Sequence, residues 1–256
     1  MAPTALASLR GGRFRGTLVV VSADPHSDRI TVPTEGGTLP VHRWFPASGS
    51  GPGALVLQEI FGVSTYIRHR AADLAKAGYV VYVPELYHRI TDEPVGEEDL
   101  ERGMELAGQL PWSEALADAR AALDALRTAD AVTGGVAIVG FCYGGGLAFN
   151  LAARTDPDAL VSYYGSALPS LLSLAPEVTA PSLHHFGTDD AYIVATTVEE
   201  IRQAVTADER TQFFTYDGAG HAFDNPSPLF HHPQASAKAW QRTLDFLAEH
   251  VHSTAS

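Results

Sequence analysis

The sequence predicts an α/β domain in which a mostly parallel sheet carries helices on both faces. Short apolar runs of strand length alternate with amphipathic helical segments from about residue 54 to the end of the chain. Such uninterrupted apolar runs are typical of strands buried on both faces of a parallel sheet. Residues with distinctive chemistry directly follow several of these runs, where the carboxyl ends of parallel strands form functional sites.

Length and composition agree with one domain. The chain has 256 residues, of which 45% are hydrophobic and 18% are charged, so it can bury a sizeable core and is too apolar to be disordered. We expect residues 1–28 to form an N-terminal extension and residues 29–256 to form a single α/β domain.

Charge and hydropathy exclude several functions. Asp and Glu number 30 against 17 Lys and Arg, and the formal charge of −13 repels nucleic-acid phosphates and anionic membrane surfaces. No run of about 20 apolar residues is present, so no membrane-spanning helix is expected. The single cysteine, Cys142, excludes an internal disulfide and fits a reducing cytoplasm, which is the expected location.

The predicted elements follow in order along the chain. Residues 30–45 form an antiparallel hairpin around Gly36-Gly37, and the Gly- and Ser-rich stretch 48–53 is a flexible connector. The helix over residues 112–129 is the clearest, because its leucines recur on one face. The other elements are strands at 54–57, 79–83, 136–139, 160–164, 182–186 and 212–216, and helices at 67–77, 144–153 and 235–250.

One motif stands between a predicted strand and the next helix: Gly140-Phe141-Cys142-Tyr143-Gly144. It has the form of the nucleophile elbow of α/β-hydrolases, with cysteine where serine is usual. The nucleophile occupies a sharp, strained turn, and the flanking glycines avoid the clashes that this turn would create. The helix that follows favours a thiolate and offers N–H groups to an oxyanion. The motif therefore predicts an α/β-hydrolase fold with Cys142 as nucleophile.

A carboxylate and a histidine follow the nucleophile in the order that this fold requires. Gly218-Ala219-Gly220-His221 comes after the strand at 212–216, and its small residues allow the loop to fold back over the elbow. Asp189 and Asp190 follow the strand at 182–186, and either carboxylate could orient the imidazole. The other histidines lack the spacing of a metal site, so no metal is predicted.

These residues belong to a wider resemblance. From about Leu55 to the C-terminal helix, the sequence resembles the dienelactone hydrolases (carboxymethylenebutenolidases). The second matching block begins with Glu85, where the family more often has aspartate. The matching blocks are Gln58-Glu59-Ile60-Phe61-Gly62-Val63, Glu85-Leu86-Tyr87-His88-Arg89, Gly140-Phe141-Cys142-Tyr143-Gly144-Gly145, Tyr163-Tyr164-Gly165 and Gly218-Ala219-Gly220-His221.

The resemblance implies a Cys-His-Asp triad. The triad carries over to Cys142, His221 and Asp190. Gly187 and Tyr192-Ile193 match the register of the family's aspartate, which selects Asp190 over its neighbour.

The resemblance also implies a role for Glu59. In the family this glutamate lies near the thiol, is tied to an arginine and helps to manage the thiol proton. A desolvated carboxylate at a strand end can accept such a proton. The backbone N–H groups of Ile60 and Tyr143 would form the oxyanion hole.

Substrate contacts are predicted from the same blocks. Arg89 matches the arginine that binds the substrate carboxylate in the family, because a guanidinium can hold a carboxylate through two hydrogen bonds. A second family arginine is replaced by Asn225, which we also place at the substrate, with Phe61, Tyr87 and Tyr164. A lost charged hydrogen bond costs about 1.5–3 kcal/mol. A less charged ester or lactone is therefore as good a candidate as dienelactone itself.

Together these residues predict a hydrolase that opens an ester or lactone by acyl transfer, with aromatic-compound degradation as one expected role. No cofactor is needed, the expected partner is a small-molecule substrate, and the chain is a monomer or a homodimer. Two other classes stay open. One is a redox sensor that uses Cys142, although no resolving cysteine exists. The other is a non-catalytic binding protein on a hydrolase scaffold.

Overall fold

The computed structural model describes residues 25–93 and 95–253, and its central feature is an eight-stranded sheet. The strands in chain order are β1 (His26–Thr34), β2 (Gly37–Phe45), β3 (Gly51–Leu57), β4 (Val80–Pro84), β5 (Val132–Phe141), β6 (Ala159–Tyr163), β7 (Ser182–Gly187) and β8 (Thr211–Tyr216). The α-helices are α1 (Thr65–Lys76), α2 (Leu100–Gln109), α3 (Trp112–Arg127), α4 (Tyr143–Thr155), α5 (Ala195–Val205) and α6 (Pro233–His250).

The sheet has the order β1-β2-β4-β3-β5-β6-β7-β8. The hairpin strands β1 and β2 are antiparallel to each other, and β2 is antiparallel to β4. All pairings among β3 to β8 are parallel. The predicted mostly parallel sheet and α/β-hydrolase fold are therefore confirmed.

The two faces of the sheet form separate hydrophobic cores. Successive side chains of a strand point to opposite faces, so Leu55 and Leu57 of β3 enter one core and Ala54 and Val56 enter the other. Helices α3, α4 and α5 cover the first core, whereas α1 and α6 cover the second. Burial on both faces explains why the central strands are apolar throughout.

Several boundaries differ from the prediction. The prediction of a flexible connector over residues 48–53 is partly wrong, because β3 begins at Gly51. Strand β1 begins at His26, three residues before the expected domain start, since residues 26–28 pair with β2. Most of the expected extension lies in residues 1–24, outside the described residues. Helices α2 and α5 were not predicted.

None of the helices within residues 25–93 and 95–253 combines the length and the apolar character that crossing a membrane requires.

Candidate active site

Four predicted catalytic residues follow four parallel strands at one edge of the sheet. Glu59 follows β3, Cys142 follows β5, Asp190 follows β7 and His221 follows β8. Because the strands run parallel, their carboxyl ends meet at the same edge. The topology therefore brings together side chains that are far apart in the sequence.

The elbow that carries Cys142 is strained and tightly packed. Cys142 has φ +52° and ψ −112°, a conformation that non-glycine residues rarely adopt. A Cβ on Gly140 would lie 2.0 Å from the carbonyl oxygen of Gly144, and one on Gly144 would lie 2.3 Å from that of Leu57. Both positions therefore require glycine, as the motif predicted. The strain lifts the sulfur above the end of the sheet.

The thiol, the imidazole and one carboxylate form a continuous chain. Cys142 Sγ lies 3.1 Å from His221 Nε2, and His221 Nδ1 lies 2.7 Å from Asp190 Oδ2. The other carboxylate oxygen of Asp190 accepts the backbone N–H groups of Tyr192 and Ile193 at 2.8 and 2.9 Å. The carboxylate is therefore fixed on one side and free to orient the imidazole on the other.

The electrostatics of this chain favour a protonated imidazole. Burial opposes a charge on His221, but the neighbouring Cys142 sulfur and Asp190 outweigh it and hold the imidazole pKa well above its ordinary value. Burial would also raise the pKa of Asp190, but the hydrogen bond and charge of His221 lower it overall. An imidazolium beside the sulfur can stabilise a thiolate there.

Glu59 is buried, with 1% of its surface exposed. Its Oε2 accepts a hydrogen bond from Asn225 Nδ2 at 2.9 Å, and Tyr164 OH lies 3.3 Å from its Oε1. The arginine that the resemblance implied for this carboxylate is replaced by these two neutral groups. Burial raises the pKa of Glu59 to about 7, against the opposing effects of the Asn225 hydrogen bond and the His221 charge.

The two backbone N–H groups predicted for the oxyanion hole belong to residues that follow two neighbouring strands, β3 and β5. Tyr143 is the first residue of α4, and Ile60 is in the loop after β3. In the described part of the chain, neither N–H donates to a backbone carbonyl. The backbone N–H of Gly144 donates to the Gln58 carbonyl at 2.9 Å and holds the two segments together.

A cavity of about 140 Å³ opens onto the sulfur. Its size is close to the roughly 150 Å³ of a cavity that holds one benzene ring. None of the described residues that line the cavity is a lysine or an arginine, and its walls are mainly apolar. The lining residues are Glu59, Ile60, Phe61, Leu100, Met104, Cys142, Ser166, Tyr192, His221, Ala222 and Phe230.

Arg89, the predicted carboxylate anchor, does not line the cavity at Cys142 and pairs with a carboxylate on α3. Its guanidinium donates to both carboxylate oxygens of Asp118 on α3, at 2.5 and 2.8 Å. The Asp118 side chain is fully buried, so the pairing satisfies a carboxylate that would otherwise be costly to bury. Arg89 does not line the cavity at Cys142.

Three other predicted substrate contacts also lie outside the cavity lining. Asn225 is fully buried, donates to Glu59 and accepts from the backbone N–H of Ser227, so its amide is occupied. Tyr164 lies behind Glu59, and Tyr87 donates its hydroxyl to the Ile60 carbonyl at 2.9 Å. Phe61 lines the cavity, as predicted. The two tyrosines and Asn225 thus contact Glu59 or Ile60, which line the cavity, and do not line it themselves.

Sequence reasoning missed much of the cavity wall. Leu100 and Met104 belong to α2, whose apolar residues at helical spacing could have revealed it. Ser166 follows β6 close to the matching tyrosine block, and Phe230 lies in the loop before α6. No local pattern connects these residues to Cys142.

Within residues 25–93 and 95–253, no group of three or more His, Cys, Asp or Glu side chains could hold a metal ion.

Comparison with known proteins identifies the relatives of this chain. The model of the dienelactone hydrolase family matches residues 42–251. A carboxymethylenebutenolidase of Pseudomonas sp. (strain P51) is 35% identical over 216 residues, which cover 83% of this chain and 90% of that protein. One from Pseudomonas putida is 34% identical over 207 residues, covering 79% and 88%. A crystal structure from Klebsiella pneumoniae, named as that of a candidate dienelactone hydrolase, has a TM-score of 0.78 and 31% identity, covering 89% of this chain and all of that one.

Proposed function

Because this chain belongs to the dienelactone hydrolase family, we propose that it opens an ester or lactone by acyl transfer through Cys142, His221 and Asp190. The chain is a dienelactone-hydrolase-like hydrolase, and our proposal adds the three residues that carry out the reaction. The observation that carries it is the continuous contact from sulfur to imidazole to carboxylate, at 3.1 and 2.7 Å. The same lone thiol suits a reducing compartment such as the cytoplasm.

The proposed cycle has two halves. Cys142 Sγ attacks the carbonyl carbon as a thiolate while His221 holds the thiol proton. The carbonyl oxygen becomes an oxyanion that accepts hydrogen bonds from the backbone N–H groups of Ile60 and Tyr143. The C–O bond then breaks, the leaving oxygen takes the proton from His221, and a thioester remains. Water attacks the thioester carbon while His221 takes one of its protons, the C–S bond breaks to release the acid, and the thiolate and the imidazole share the proton that His221 took.

Glu59 has a second place in this proposal. Its carboxyl group lines the same cavity as the sulfur, and its pKa of about 7 means that its protonated and ionised forms coexist at neutral pH. Glu59 therefore accepts the thiol proton when it is ionised and the imidazole is already charged.

The cavity favours an uncharged, apolar substrate. Among the described residues its lining has no lysine or arginine, and an anionic substrate group there would meet Glu59. Met104 and Tyr192, on its wall, are 55% and 59% exposed, so the apolar surface continues outward from the mouth. Such exposed apolar area is typical of a binding surface. With Arg89 occupied by Asp118, the carboxylate of a dienelactone has no partner here.

The triad is tested with p-nitrophenyl acetate and with cis- and trans-dienelactone. Cys142→Ala should abolish turnover of every substrate that the wild type hydrolyses. Asp190→Asn should lower kcat by roughly 10³- to 10⁴-fold, because the imidazole loses its orienting carboxylate. Asp189→Asn is the matched control, since Asp189 is exposed, and it should keep wild-type activity. Full activity of the Asp190→Asn enzyme would refute the assignment.

The substrate class is tested with two esters of equal chain length, p-nitrophenyl butyrate and p-nitrophenyl hemisuccinate. Without a charged hydrogen bond worth about 1.5–3 kcal/mol, the anionic ester should have a kcat/KM at least about tenfold lower. Equal values, or a preference for the hemisuccinate, would mean that a cation reaches the cavity in solution.

A further inference from the structure

A buried hydrogen-bonded chain connects Glu59 to a second carboxylate, Asp224. Tyr164 OH lies 3.3 Å from Glu59 Oε1, Tyr66 OH lies 3.1 Å from Tyr164 OH, and Tyr66 OH donates to Asp224 Oδ2 at 2.6 Å. All four residues are at most 5% exposed. The catalytic triad does not use this chain, and neither Tyr66 nor Asp224 lines the cavity.

Arg70 fixes the charge at the far end of the chain. Its Nε and Nη2 donate to the two oxygens of Asp224 at 2.7 and 2.6 Å, and Ser236 Oγ donates to Asp224 Oδ1 at 2.8 Å. The Asp224 side chain is fully buried and that of Arg70 is 14% exposed. A two-pronged guanidinium contact of this kind requires the ionised carboxylate. The chain therefore has one end at which the carboxylate is held without a proton.

Counting protons along the chain gives a direction. A tyrosine hydroxyl has a single proton. Tyr66 gives its proton to Asp224, so its oxygen can only accept from Tyr164. Tyr164 then has no proton left to donate to Glu59. A hydrogen bond can form between these two residues only if the Glu59 carboxyl group is protonated and donates it. All three hydrogen bonds can also form in the reverse direction, with the proton on Asp224 instead of Glu59. Arg70 opposes that arrangement, because its guanidinium favours an ionised Asp224.

We infer that Arg70 and Asp224, acting through Tyr66 and Tyr164, keep Glu59 protonated in the resting site. These residues are positioning residues, since none of them touches the reacting atoms. The inference rests on the proposed function for the use of Glu59 in catalysis, but the protonation state of Glu59 can be measured without any substrate.

Other charges also act on Glu59. His221 lowers its pKa, and Glu97, whose carboxylate accepts the backbone N–H of Tyr66 at 2.8 Å, raises it. Cys142 shares the cavity, and Asn225 contributes a neutral donor. None of these groups is altered by removing the Tyr66 hydroxyl, so that change isolates the chain.

The test is infrared titration of the protonated carboxyl band from about pH 5 to about pH 9, with the Glu59 band assigned by its loss in Glu59→Gln. In Tyr66→Phe the proton of Tyr164 becomes free to stabilise the Glu59 carboxylate. The midpoint of the Glu59 band should therefore fall by about 0.5–1 pH unit. Tyr163→Phe is the matched control, because it removes another buried hydroxyl, one that contacts Thr243. Its midpoint should equal that of the wild type.

An unchanged or raised midpoint in Tyr66→Phe would overturn the inference. Arg70→Met is the second variant, because it allows the proton to move to Asp224. There a protonated carboxyl band should persist after Glu59→Gln is added and should vanish after Asp224→Asn is added. A band that disappears with Glu59→Gln in this background would contradict the role of Arg70.

Hydrolysis measured in parallel separates the two proposals. If Glu59 accepts the thiol proton, the rise of kcat/KM with pH should move to lower pH in Tyr66→Phe together with the band. A band that moves while the kinetic profile stays fixed supports the chain and removes Glu59 from the proposed mechanism. Absence of hydrolysis in every variant would refute the proposed function, and the infrared midpoints would still decide the inference.

Discussion

The buried pair of Arg70 and Asp224 should be strongly coupled in stability. The perturbation is a double-mutant cycle of Arg70→Met, Asp224→Leu and the combined variant. The pair joins α1 to the loop between His221 and α6, and Arg70 also lies 4.2 Å over the Trp240 ring of α6. The loop that carries His221 is thus tied to α1 by this ion pair.

The magnitude follows from the contacts that each change removes. Asp224→Leu deletes the acceptor of four hydrogen bonds, at 2.6, 2.6, 2.7 and 2.8 Å. Among the described residues, it leaves the mostly buried guanidinium with only Asp73, at 3.3 Å, as a charge partner. Breaking one side of a buried pair costs about 3–5 kcal/mol, whereas replacing both sides by apolar groups is close to neutral or stabilising. The double variant should therefore be more stable than either single variant by about 3 kcal/mol.

The free energy of unfolding is measured by urea denaturation for the four proteins, with the slope of the transition compared to confirm that the same surface unfolds. The coupling energy is the departure from additivity. Additive single changes, or a double variant less stable than both single variants, would refute the buried-pair reasoning. A cost below about 1 kcal/mol for each single change would show that water reaches the pair.

Three further predictions concern the elbow, the acid stability and the cavity charge. Gly144→Ala should destabilise the fold by at least about 3 kcal/mol, because its Cβ would meet the Leu57 carbonyl, whereas Gly108→Ala on α2 has open space and should be neutral or stabilising in thermal unfolding. Burial lowers the pKa of His184 to about 3, so below about pH 6.5 the folded state binds fewer protons there than the unfolded state. The free energy of unfolding is therefore unaffected by His184 above about pH 6.5 and falls as the pH is lowered toward 3. The loss is up to about 1.4 kcal/mol per pH unit. His184→Leu should therefore flatten the urea midpoint against pH in this window, and His69→Gln, at an exposed position, should leave it unchanged. Met104→Lys should raise kcat/KM for p-nitrophenyl hemisuccinate about tenfold relative to Met104→Gln, because Met104 lines the cavity; no difference between the two would refute the importance of cavity charge.

The catalytic constellation was predictable because it depends on local patterns and on topology. A strand, a glycine-flanked turn and a helix recur around Cys142, and a rule of parallel sheets brings the ends of β3, β5, β7 and β8 together. Each residue needs only its place after a strand to reach the site. The choice of Asp190 came from the family resemblance, and the contact with His221 agrees with it.

The partners of the predicted substrate-binding side chains could not be read from the sequence, because they depend on which distant side chains pair. Arg89 stands where an anchor is expected, but a buried Asp118 on α3 holds it. Asn225 lies in the catalytic loop, but its amide is taken by Glu59 and a backbone N–H. A side chain at the right position in the chain is therefore not free to bind substrate.

The sequence alone determined the fold class and was enough to propose the nucleophile and the order of the triad, since hydrophobic periodicity and glycine positions act over a few neighbouring residues. Only the tertiary structure decided that the described lining of the cavity holds no lysine or arginine, that α2 forms part of its wall, and that Arg70 and Asp224 stand at the end of a hydroxyl chain leading to Glu59. These features depend on distances between residues separated by as many as 158 positions, as in the contact of Tyr66 with Asp224. Ion pairs and hydrogen bonds form only within a few ångströms, and only the folded chain sets those distances.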